Sequence, residues 1–408
     1  MTPTPRAAGA LAVLALSLLV VPIPIALLLC VALVAATAVD TWLVRRPPVV
    51  RRKVPERLAR GVPSALRLVA DEPARLRLRQ PVPPDLSLEP AQAEHELSGS
   101  LLARRRGRHV LPPLVARRTG PLGLAAWTHS VGQEAEVLVY PDLPAARRIA
   151  ASVRAGKFRD EGLRRRGPIG LGTEFDSVRD YSPDDDIRQV NWPATSRLGR
   201  PMSNQYRIER DRDVILAVDC GRLMAAPFAD RTRLDAALDA AVADVLGDRC
   251  GTIAFAGTVL RSLPARRAGA RDVVTSLFDL EPMAEESDYE LAFSRIKGVK
   301  RAFVLVLTDL LEEAAAQPLV GALPVVVRRH AVCVAGAMDP DLDAAIHAQP
   351  HSATDVYRTA VALDVLGARA RAAARLRHAG AVVVEAPPAT LAAACVRAYL
   401  RAKWAARV

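Results

Sequence analysis

The chain has 408 residues, 50% of them apolar and 25% charged, which is enough for two soluble domains and a membrane segment. Its net charge is +12, and all of that excess lies in residues 1–210, where 32 Lys and Arg accompany 20 Asp and Glu. The five cysteines are scattered and contain no C-x-x-C pair, which excludes a disulfide framework and indicates reduced thiols.

Residues 7–39 contain no charged residue, and as one helix they would far exceed a hydrocarbon core of ~30 Å. Pro22 and Pro24 divide the segment, because two prolines so close together break a helix. The sequence therefore predicts a transmembrane helical hairpin over residues 1–44, although a single span would leave the same basic flank inside. A signal peptide cleaved near Ala36–Ala38 is the alternative, but its hydrophobic region would be too long.

Basic residues precede and follow this hydrophobic segment. Arg6 comes before it, and Arg45, Arg46, Arg51, Arg52 and Lys53 come after it. The positive-inside rule places both flanks in the cytoplasm. We therefore predict a protein of the cell (inner) membrane whose soluble domains are cytoplasmic, with membrane lipid as a partner of the hairpin and the basic flank.

Residues 45–143 alternate apolar and charged side chains, with Leu76 and Leu78 set between arginines. Pro and Gly punctuate these runs, and short strands between turn signals predict a β-sandwich-like domain. The interleaved arginines are interpreted as the solvated face of a sheet. The basic clusters have few aromatic neighbours and match no nucleic-acid-binding motif, so we predict no nucleic-acid partner.

Residues 144–212 are predicted to form a basic linker and then a loop, the signature segment of residues 174–197, that is dense in acidic, arginine and aromatic side chains. The candidate interaction residues are Glu174, Phe175, Arg179, Asp180, Tyr181, Asp185, Asp186, Arg188, Trp192 and Arg197. One interpretation is a salt-bridge network that pins the linker to the sheet, with Asp184–Asp186 capping a helical turn and Trp192 buried. The other is a docking surface for another protein. The two interpretations are compatible.

Residues 213–408 alternate short buried strands with helix-length amphipathic segments. This pattern predicts βαβ units and a mostly parallel α/β sheet that is covered on both faces. Asp219 and Asp309 each end a predicted strand. The carboxyl ends of such strands form the edge at which open α/β sheets place ligand and partner sites.

The signature segment also carries a family resemblance. The run EFDSVRDYSPDDDIRQVNW, followed by ATSR and VILAVDCGRLM, resembles the signature of the bacterial domain-of-unknown-function 58 family. RRRGRHVLPPLVARRTGPLGL and VLVYPDL resemble the segment that precedes it. The resemblance implies a membrane-anchored protein with a β-sandwich and a von Willebrand factor A-like domain of Rossmann type. It also implies a MoxR-type AAA+ ATPase as the partner.

A von Willebrand factor A-like domain, as implied by the resemblance, carries a metal site at this sheet edge. An Asp-x-Ser-x-Ser turn, a Thr and a further Asp supply hard oxygen ligands for Mg²⁺. Asp219 matches the first Asp and Asp309 the last, but Gly221 and Leu223 stand where the two serines are expected. The site is therefore interpreted as degenerate.

The second loop of this degenerate site offers Asp288, or Ser287, in place of the Thr. Two or three carboxylates would hold a hydrated cation weakly, so Mg²⁺ is the candidate cofactor. The alternative is that Asp219 and Asp309 cap helix N-termini by accepting backbone N–H bonds.

Together these features predict a membrane-tethered, non-enzymatic scaffold that partners a MoxR-type AAA+ ATPase in envelope-related assembly or maturation. One alternative is a divalent-metal-dependent binding domain that uses Asp219, Asp288 and Asp309. Another is a hydrolase of unknown type, although the sequence has no nucleophile elbow, P-loop or H-E-x-x-H. Cys220 has no His near it in sequence and is interpreted as a half-buried thiol.

Overall fold

The structure is a computed structural model that describes residues 2–17, 22–71, 75–141, 169–182, 187–207, 213–228, 231–243, 248–267, 270–296, 298–309 and 313–404. The chain divides into two compact units, Met1–Tyr140 and Pro141–Val408. The first unit contains the hydrophobic segment and the β-domain. The second contains the signature segment and the α/β domain. Most of the predicted linker, residues 144–168, lies outside the described residues.

Two helices, α1 (Pro5–Ser17) and α2 (Ile23–Val44), make up the hydrophobic segment. The break falls where the prolines predict it, because Pro22 caps α2 and Pro24 lies in its first turn, where no N–H partner is lost. The 22 residues of α2 extend ~33 Å, enough to cross a hydrocarbon core. The most apolar window of α2 has a mean hydropathy of 2.4 and is only 11% buried, unlike a core helix. Among the described residues, α2 is the one helix long and apolar enough for a span.

The first unit contains three small sheets. Its strands are β1 (Thr2–Pro3), β2 (Val50–Lys53), β3 (Arg57–Ala59), β4 (Ser64–Ala70), β5 (Arg75–Arg79), β6 (Leu86–Glu89), β7 (Gln92–Glu94), β8 (Glu96–Ala103), β9 (Gly107–Leu111), β10 (Leu114–Thr119), β11 (Ala125–Val131) and β12 (Ala135–Tyr140). The strand orders are β1-β11-β10-β5-β7, β2-β4-β8-β6 and β3-β12-β9. All pairs are antiparallel except β3 with β12. Leucines, valines and alanines from all three sheets form one buried cluster, which is the core of this unit.

Both ends of the helical segment are held at strand β11. β1 pairs antiparallel with β11, directly before α1 begins. At the far end of α2, the buried Asp40 carboxylate accepts bonds from three backbone N–H groups between Leu122 and Ala125. Nε2 of His129, a residue of β11, lies 2.8 Å from the carbonyl oxygen of Val44. The start of α1 and the end of α2 are therefore fixed beside the same strand.

The signature segment is built on a pair of strands rather than on a loop. β13 (Ile169–Asp180) pairs antiparallel with β14 (Met202–Arg207). A 3-10 turn, Ile187–Gln189, and a short helix, α3 (Trp192–Leu198), lie between the two strands in sequence. The prediction of a loop was wrong for this part, because the alternating residues of 174–180 pair with a partner strand that lies more than twenty residues away.

The second unit contains a six-stranded sheet in the order β19-β18-β15-β20-β21-β22. The strands are β15 (Asp213–Asp219), β16 (Pro227–Phe228), β17 (Arg231–Thr232), β18 (Arg249–Phe255), β19 (Val259–Arg266), β20 (Ala302–Leu307), β21 (Ala331–Ala337) and β22 (Val382–Ala386). The helices are α4 (Arg233–Ala243), α5 (Ala270–Leu277), α6 (Tyr289–Ser294), α7 (Glu313–Val327), α8 (Pro340–His347), α9 (Ala353–His378) and α10 (Pro388–Trp404), with a 3-10 turn at Arg222–Ala225.

This sheet is parallel except at its edge, where β19 runs antiparallel to β18. Counted along the chain, the strand order is 3-2-1-4-5-6, the order of doubly wound α/β folds. Alternate residues of β15 enter two buried apolar clusters, one on each face of the sheet. The predicted mixed α/β sheet with helices on both faces is therefore confirmed. Helix α8, which begins at Pro340, was not predicted.

Candidate functional site

The carboxyl end of β15 carries Asp219, whose side chain is buried and hydrogen-bonded on both oxygens. Oδ1 accepts from the backbone N–H of Gly221 at 2.8 Å and from the hydroxyl of Ser287. Oδ2 accepts from the phenol of Tyr289 at 2.7 Å and from the hydroxyl of Thr308 at 2.6 Å. Four donors therefore surround one carboxylate at the switch point of the sheet, where chain order reverses on either side of β15.

The hydroxyl of Tyr289 is a buried donor of this network. Burial raises the pKa of the Tyr289 phenol well above its usual value, and the negative charge of Asp219 raises it further. The phenol therefore stays protonated at neutral pH and donates to the carboxylate. Its ring packs edge-on against Phe255, at 5.4 Å between ring centroids, and this contact fixes its orientation.

The glycine at position 221 is required by close packing. A Cβ atom there would lie 2.1 Å from Oγ of Ser287 and 3.2 Å from Oδ1 of Asp219. The Ser287 hydroxyl thus fills the space in which a side chain at 221 would lie, although 221 is a serine position of the expected metal-binding turn. Ser287, in the second loop, therefore places its hydroxyl where the side chain of a serine at position 221 in the first loop would lie.

Asp309, after the end of β20, has a different environment. Its carboxylate lies 2.6 Å from Nη1 of Arg233 and 3.4 Å from Nη1 of Arg369, and all three side chains are buried. Arg233 also contacts Asp339, and Arg369 donates to Glu385. Burying these charges together is tolerated because each carboxylate has a guanidinium partner.

The three predicted metal ligands do not converge. Asp288 accepts the backbone N–H of Leu291 at 2.9 Å and caps helix α6, while its neighbours Ser287 and Tyr289 make the contacts with Asp219. In the described part of the chain, no group of three His, Cys, Asp or Glu side chains could hold a metal ion. The prediction that Asp219, Asp288 and Asp309 share a ligand set was therefore wrong, because a helix cap and an arginine cluster engage two of them.

The residues present do not fit a divalent cation. Mg²⁺ needs oxygen atoms with lone pairs free for near-octahedral coordination, and both oxygens of Asp219 already accept two hydrogen bonds each. The two guanidinium groups at Asp309 would repel a cation. The alternative expectation, simple helix capping, was also wrong for Asp219, because the 3-10 turn after β15 begins at Gly221 without a side-chain cap.

Cys220 is fully buried rather than half-buried, and its Sγ lies 3.8 Å from the carbonyl oxygen of Val218. The thiol faces the core behind the sheet edge, so it is not presented as a nucleophile. A cleft of about 310 Å³ lies beside the Asp219 network and is lined by Glu286, Ser287, Asp288, Tyr289, Glu290 and Pro318.

The signature segment is positioned by hydrogen bonds of Asn191 and Thr195. The Asn191 side chain caps helix α3 by accepting the N–H of Ala194 at 2.9 Å, and it donates to Asn204 of β14 at 2.7 Å. The Thr195 hydroxyl accepts the N–H of Met202 at 3.0 Å. Asn191 was not predicted to be an anchor, although an Asn three residues before the N–H that it caps is a recognisable N-cap signal.

The predicted interaction residues of this segment are only partly described. Glu174 and Phe175 lie on β13 and Arg188 lies in the 3-10 turn, with only their backbones described, and Asp185 and Asp186 lie outside the described residues. Arg179 donates to the carbonyl oxygen of Asp180, whose carboxylate contacts Arg200 at 3.4 Å. Tyr181 donates its N–H to Pro201, and Arg197 is exposed in the last turn of α3.

Trp192 is exposed, so the expectation that it is buried was wrong. It begins helix α3, and 66% of its surface is accessible. Ile187 and Leu198 are 69% and 56% exposed. In the part of the chain that the structure describes, this seven-residue helix lies beside a two-stranded sheet, which offers little area to bury a large ring. Two large apolar side chains of the signature segment, and that of Leu198 directly after it, therefore face outward.

Comparison with known proteins agrees with the resemblance seen in the sequence. Residues 177–349 match the model of the family described as "Protein of unknown function DUF58". The matched range begins in β13 and continues past α8, so it includes Asp219, Ser287, Tyr289, Thr308 and Asp309.

Two mycobacterial proteins are similar to part of the chain. The chain is 26% identical over 154 residues to the uncharacterized protein Rv1480 of Mycobacterium tuberculosis and to the uncharacterized protein Mb1516 of Mycobacterium bovis. Each match covers 35% of this chain and 48% of the relative, so the chain spans about half the length of the curated relatives it matches. The crystal structure of the SpRpn10 VWA domain is 11% identical and covers 47% of this chain and 94% of that one. Its TM-score of 0.28 is too low to support an argument.

Proposed function

Because residues 177–349 belong to the domain-of-unknown-function 58 family, we propose that this protein is a membrane-tethered, non-enzymatic scaffold that docks a protein partner. The hydrophobic helices hold it at the inner face of the cell membrane. The second unit, with the von Willebrand factor A-like fold that the family resemblance implies, presents its signature segment and the carboxyl edge of its sheet to the cytosol.

One observation carries the docking proposal: Ile187, Trp192 and Leu198 are all more than half exposed on a firmly braced support. Groups of large exposed apolar side chains mark protein interaction sites, and tryptophan is enriched among the residues that contribute most to binding at such interfaces. The bracing by Asn191 and Thr195 keeps the side chain presented at low entropic cost.

The Asp219 network supports a scaffold rather than a metal-dependent adhesion site. A metal-dependent site leaves a coordination position open for the partner, whereas the Asp219 carboxylate is saturated by donors of this chain. Its role is to tie the ends of β15 and β20 to the loop before α6. The nearby cleft remains available to a partner side chain.

The membrane tether is supported by the exposed apolar surface of α2 and by the attachment of both helix ends at β11. Because residues 2–4 and residue 40 are held beside one strand, the segment enters and leaves the bilayer on the same side. A hairpin satisfies this constraint, and a single span does not. The basic flank after Val44 favours the cytoplasmic side.

The family resemblance favours a MoxR-type AAA+ ATPase as the partner, acting in envelope-related assembly or maturation. A crosslinked pull-down from membranes tests the docking surface, with Trp192→Ala compared with Tyr357→Ala. Both rings are similarly exposed, at 66% and 70%, but Tyr357 lies on helix α9, outside the signature segment. We expect Trp192→Ala to lose at least tenfold in partner recovery, the cost of one interface anchor, and Tyr357→Ala to lose none.

Equal recovery with both variants would reject the docking surface. A magnesium titration of the full chain, followed by calorimetry, tests the metal-dependent alternative, and saturable binding lost in Asp219→Asn would revive it. The hydrolase alternative would be revived by an activity that disappears in the same variant.

A further inference from the structure

The outer face of the five-stranded sheet in the first unit carries a column of arginines. On β5, Leu76 and Leu78 point into the core, so Arg75, Arg77 and Arg79 all lie on the opposite face, two residues apart and exposed. Arg117 on β10 pairs directly with Arg77 and is exposed on the same face. Residues i and i+2 of a strand lie ~6.6 Å apart, so the charges form a regular row.

Among the described residues, this face has fewer acidic partners for its arginines than the other sheets have. Arg67 contacts Glu96 at 2.6 Å, and Arg108 contacts Glu136 at 3.1 Å. On the five-stranded sheet, Glu94 lies 3.6 Å from Arg77. No ion pair of Arg75, Arg79 or Arg117 occurs within the described ranges of the chain.

Like charges directly opposite each other on neighbouring strands destabilise a sheet. The Arg77–Arg117 pair is therefore a cost to the isolated domain, and the carboxylate of Glu94, on the other side of Arg77, offsets part of it. An anion brought by a partner would remove that cost.

The row continues to the point at which the hydrophobic helices meet the β-domain. Nη1 of Arg6, in the first turn of α1, and Nη1 of Arg75 both lie within 4 Å of the position that a Cβ on Gly123 would occupy. Gly123 belongs to the same loop whose N–H groups bind Asp40 near the end of α2. Two guanidinium groups thus converge where the helices leave the β-domain.

We propose that this arginine face, made of Arg6, Arg75, Arg77, Arg79 and Arg117, binds the phosphate groups of anionic phospholipids. The inference rests on the proposed membrane tether, because the tether brings this face to the headgroup layer. The guanidinium fork matches phosphate oxygens bidentately, and the negative surface potential of the membrane attracts such a cluster. The face that the sequence indicated to be merely solvated is therefore assigned to the lipid surface.

Each arginine near an anionic membrane surface contributes a factor of about five to lipid association. The test uses the full chain reconstituted in nanodiscs that contain spin-labelled phosphatidylglycerol or spin-labelled phosphatidylcholine. The spectra give the preference of the protein for the anionic lipid. The test variant is Arg75→Gln/Arg77→Gln/Arg79→Gln, and the single variant Arg79→Gln provides the same comparison with minimal change to the sheet.

The matched control is Arg57→Gln/Arg67→Gln/Arg108→Gln, which removes the same charge from exposed positions of β3, β4 and β9 on the other sheets. We expect the wild-type chain and the control to prefer phosphatidylglycerol equally. The test variant should lose this preference about fivefold or more, and Arg79→Gln should lose part of it. Equal preferences in test and control would overturn the inference.

Two further outcomes separate this inference from others. If alkaline carbonate released the wild-type chain from native membranes, the proposed tether itself would be rejected. If the wild-type chain stayed in the membrane but the test variant kept its lipid preference, only the proposed lipid-binding face would be rejected. If the test variant lost binding to a short DNA duplex while its lipid preference stayed the same, the face would be a nucleic-acid surface and the inference would be wrong.

Discussion

At the scale of single residues, Asp219 was expected to bind a metal, but its carboxylate instead connects several segments of the chain by hydrogen bonds. Its carboxylate receives hydrogen bonds from the first loop, the second loop and the end of β20. Hydrogen bonds to a charged group are stronger than neutral ones, and leaving such a group unpaired in the core is costly. The network therefore fixes the geometry of the sheet edge without a cation.

The substitution Tyr289→Phe tests this junction. It removes a buried donor to Asp219 and leaves the ring in place, so we expect a loss of about 1.5–3 kcal/mol in unfolding free energy. Thermal unfolding of the full chain in detergent measures the effect. Tyr357→Phe, on an exposed position of α9, should change stability by less than ~0.5 kcal/mol. A similar shift for both variants would contradict the role of the phenol.

The sequence predicted the positions of Asp219 and Asp309 at strand ends, but not the groups around them. Tyr289 and Thr308 are 70 and 89 residues from Asp219 in sequence. Arg233 and Arg369 lie on helices at opposite ends of the domain sequence. No local pattern relates such residues, because they come together only when the strands of the sheet pair with one another.

At the scale of elements, Asp288 illustrates the competition between a ligand role and a helix signal. The run Ser287-Asp288-Tyr289-Glu290 precedes helix α6, and Asp is a preferred N-cap residue. The cap bond to Leu291 directs this carboxylate to the backbone rather than to Asp219. The N-cap signal, which is visible in the sequence, therefore determines the role of Asp288, a residue that the expected metal site had assigned to a cation.

We predict that Asp288→Ala lowers the unfolding free energy by about 1 kcal/mol, the usual cost of losing an N-cap. The loss should be the same with and without Mg²⁺, which is measured by parallel thermal unfolding of the full chain. Asp364→Ala, at an exposed position inside α9, serves as the control. A destabilisation that appeared only in the presence of Mg²⁺ would instead make Asp288 a metal ligand.

At the scale of the whole molecule, the attachment of both helix ends to β11 is the observation that bears on the proposed topology of the hydrophobic segment. α1 is only ~20 Å long as described, shorter than a hydrocarbon core, whereas α2 is long enough to cross it. Helix length alone would therefore favour a single span. The contacts of β1 and Asp40 with the β-domain favour a hairpin.

Reporter fusions test this topology. A fluorescent protein fused before Met1 and one fused behind Val408 should both fluoresce, because both termini are expected in the cytoplasm. Alkaline phosphatase at either site should be inactive. Activity of the phosphatase at the N-terminal site alone would indicate a single span, and activity at both sites would place the soluble units outside the cell.

The sequence by itself determined the elements of this protein: the proline break between α1 and α2, the alternating strands of the β-domain and the buried strand Asp213–Asp219 at its observed bounds. These features follow from backbone restriction and from the periodicity of burial, both of which are local. Only the tertiary structure decided which side chains meet. Strand order and register determine four features that the sequence does not show. These are the hydrogen bonds that saturate the Asp219 carboxylate, the arginine pair at Asp309, the exposure of Trp192 and the common attachment of both helix ends. Register is set by burial summed over the whole sheet, so it cannot be read from any one segment.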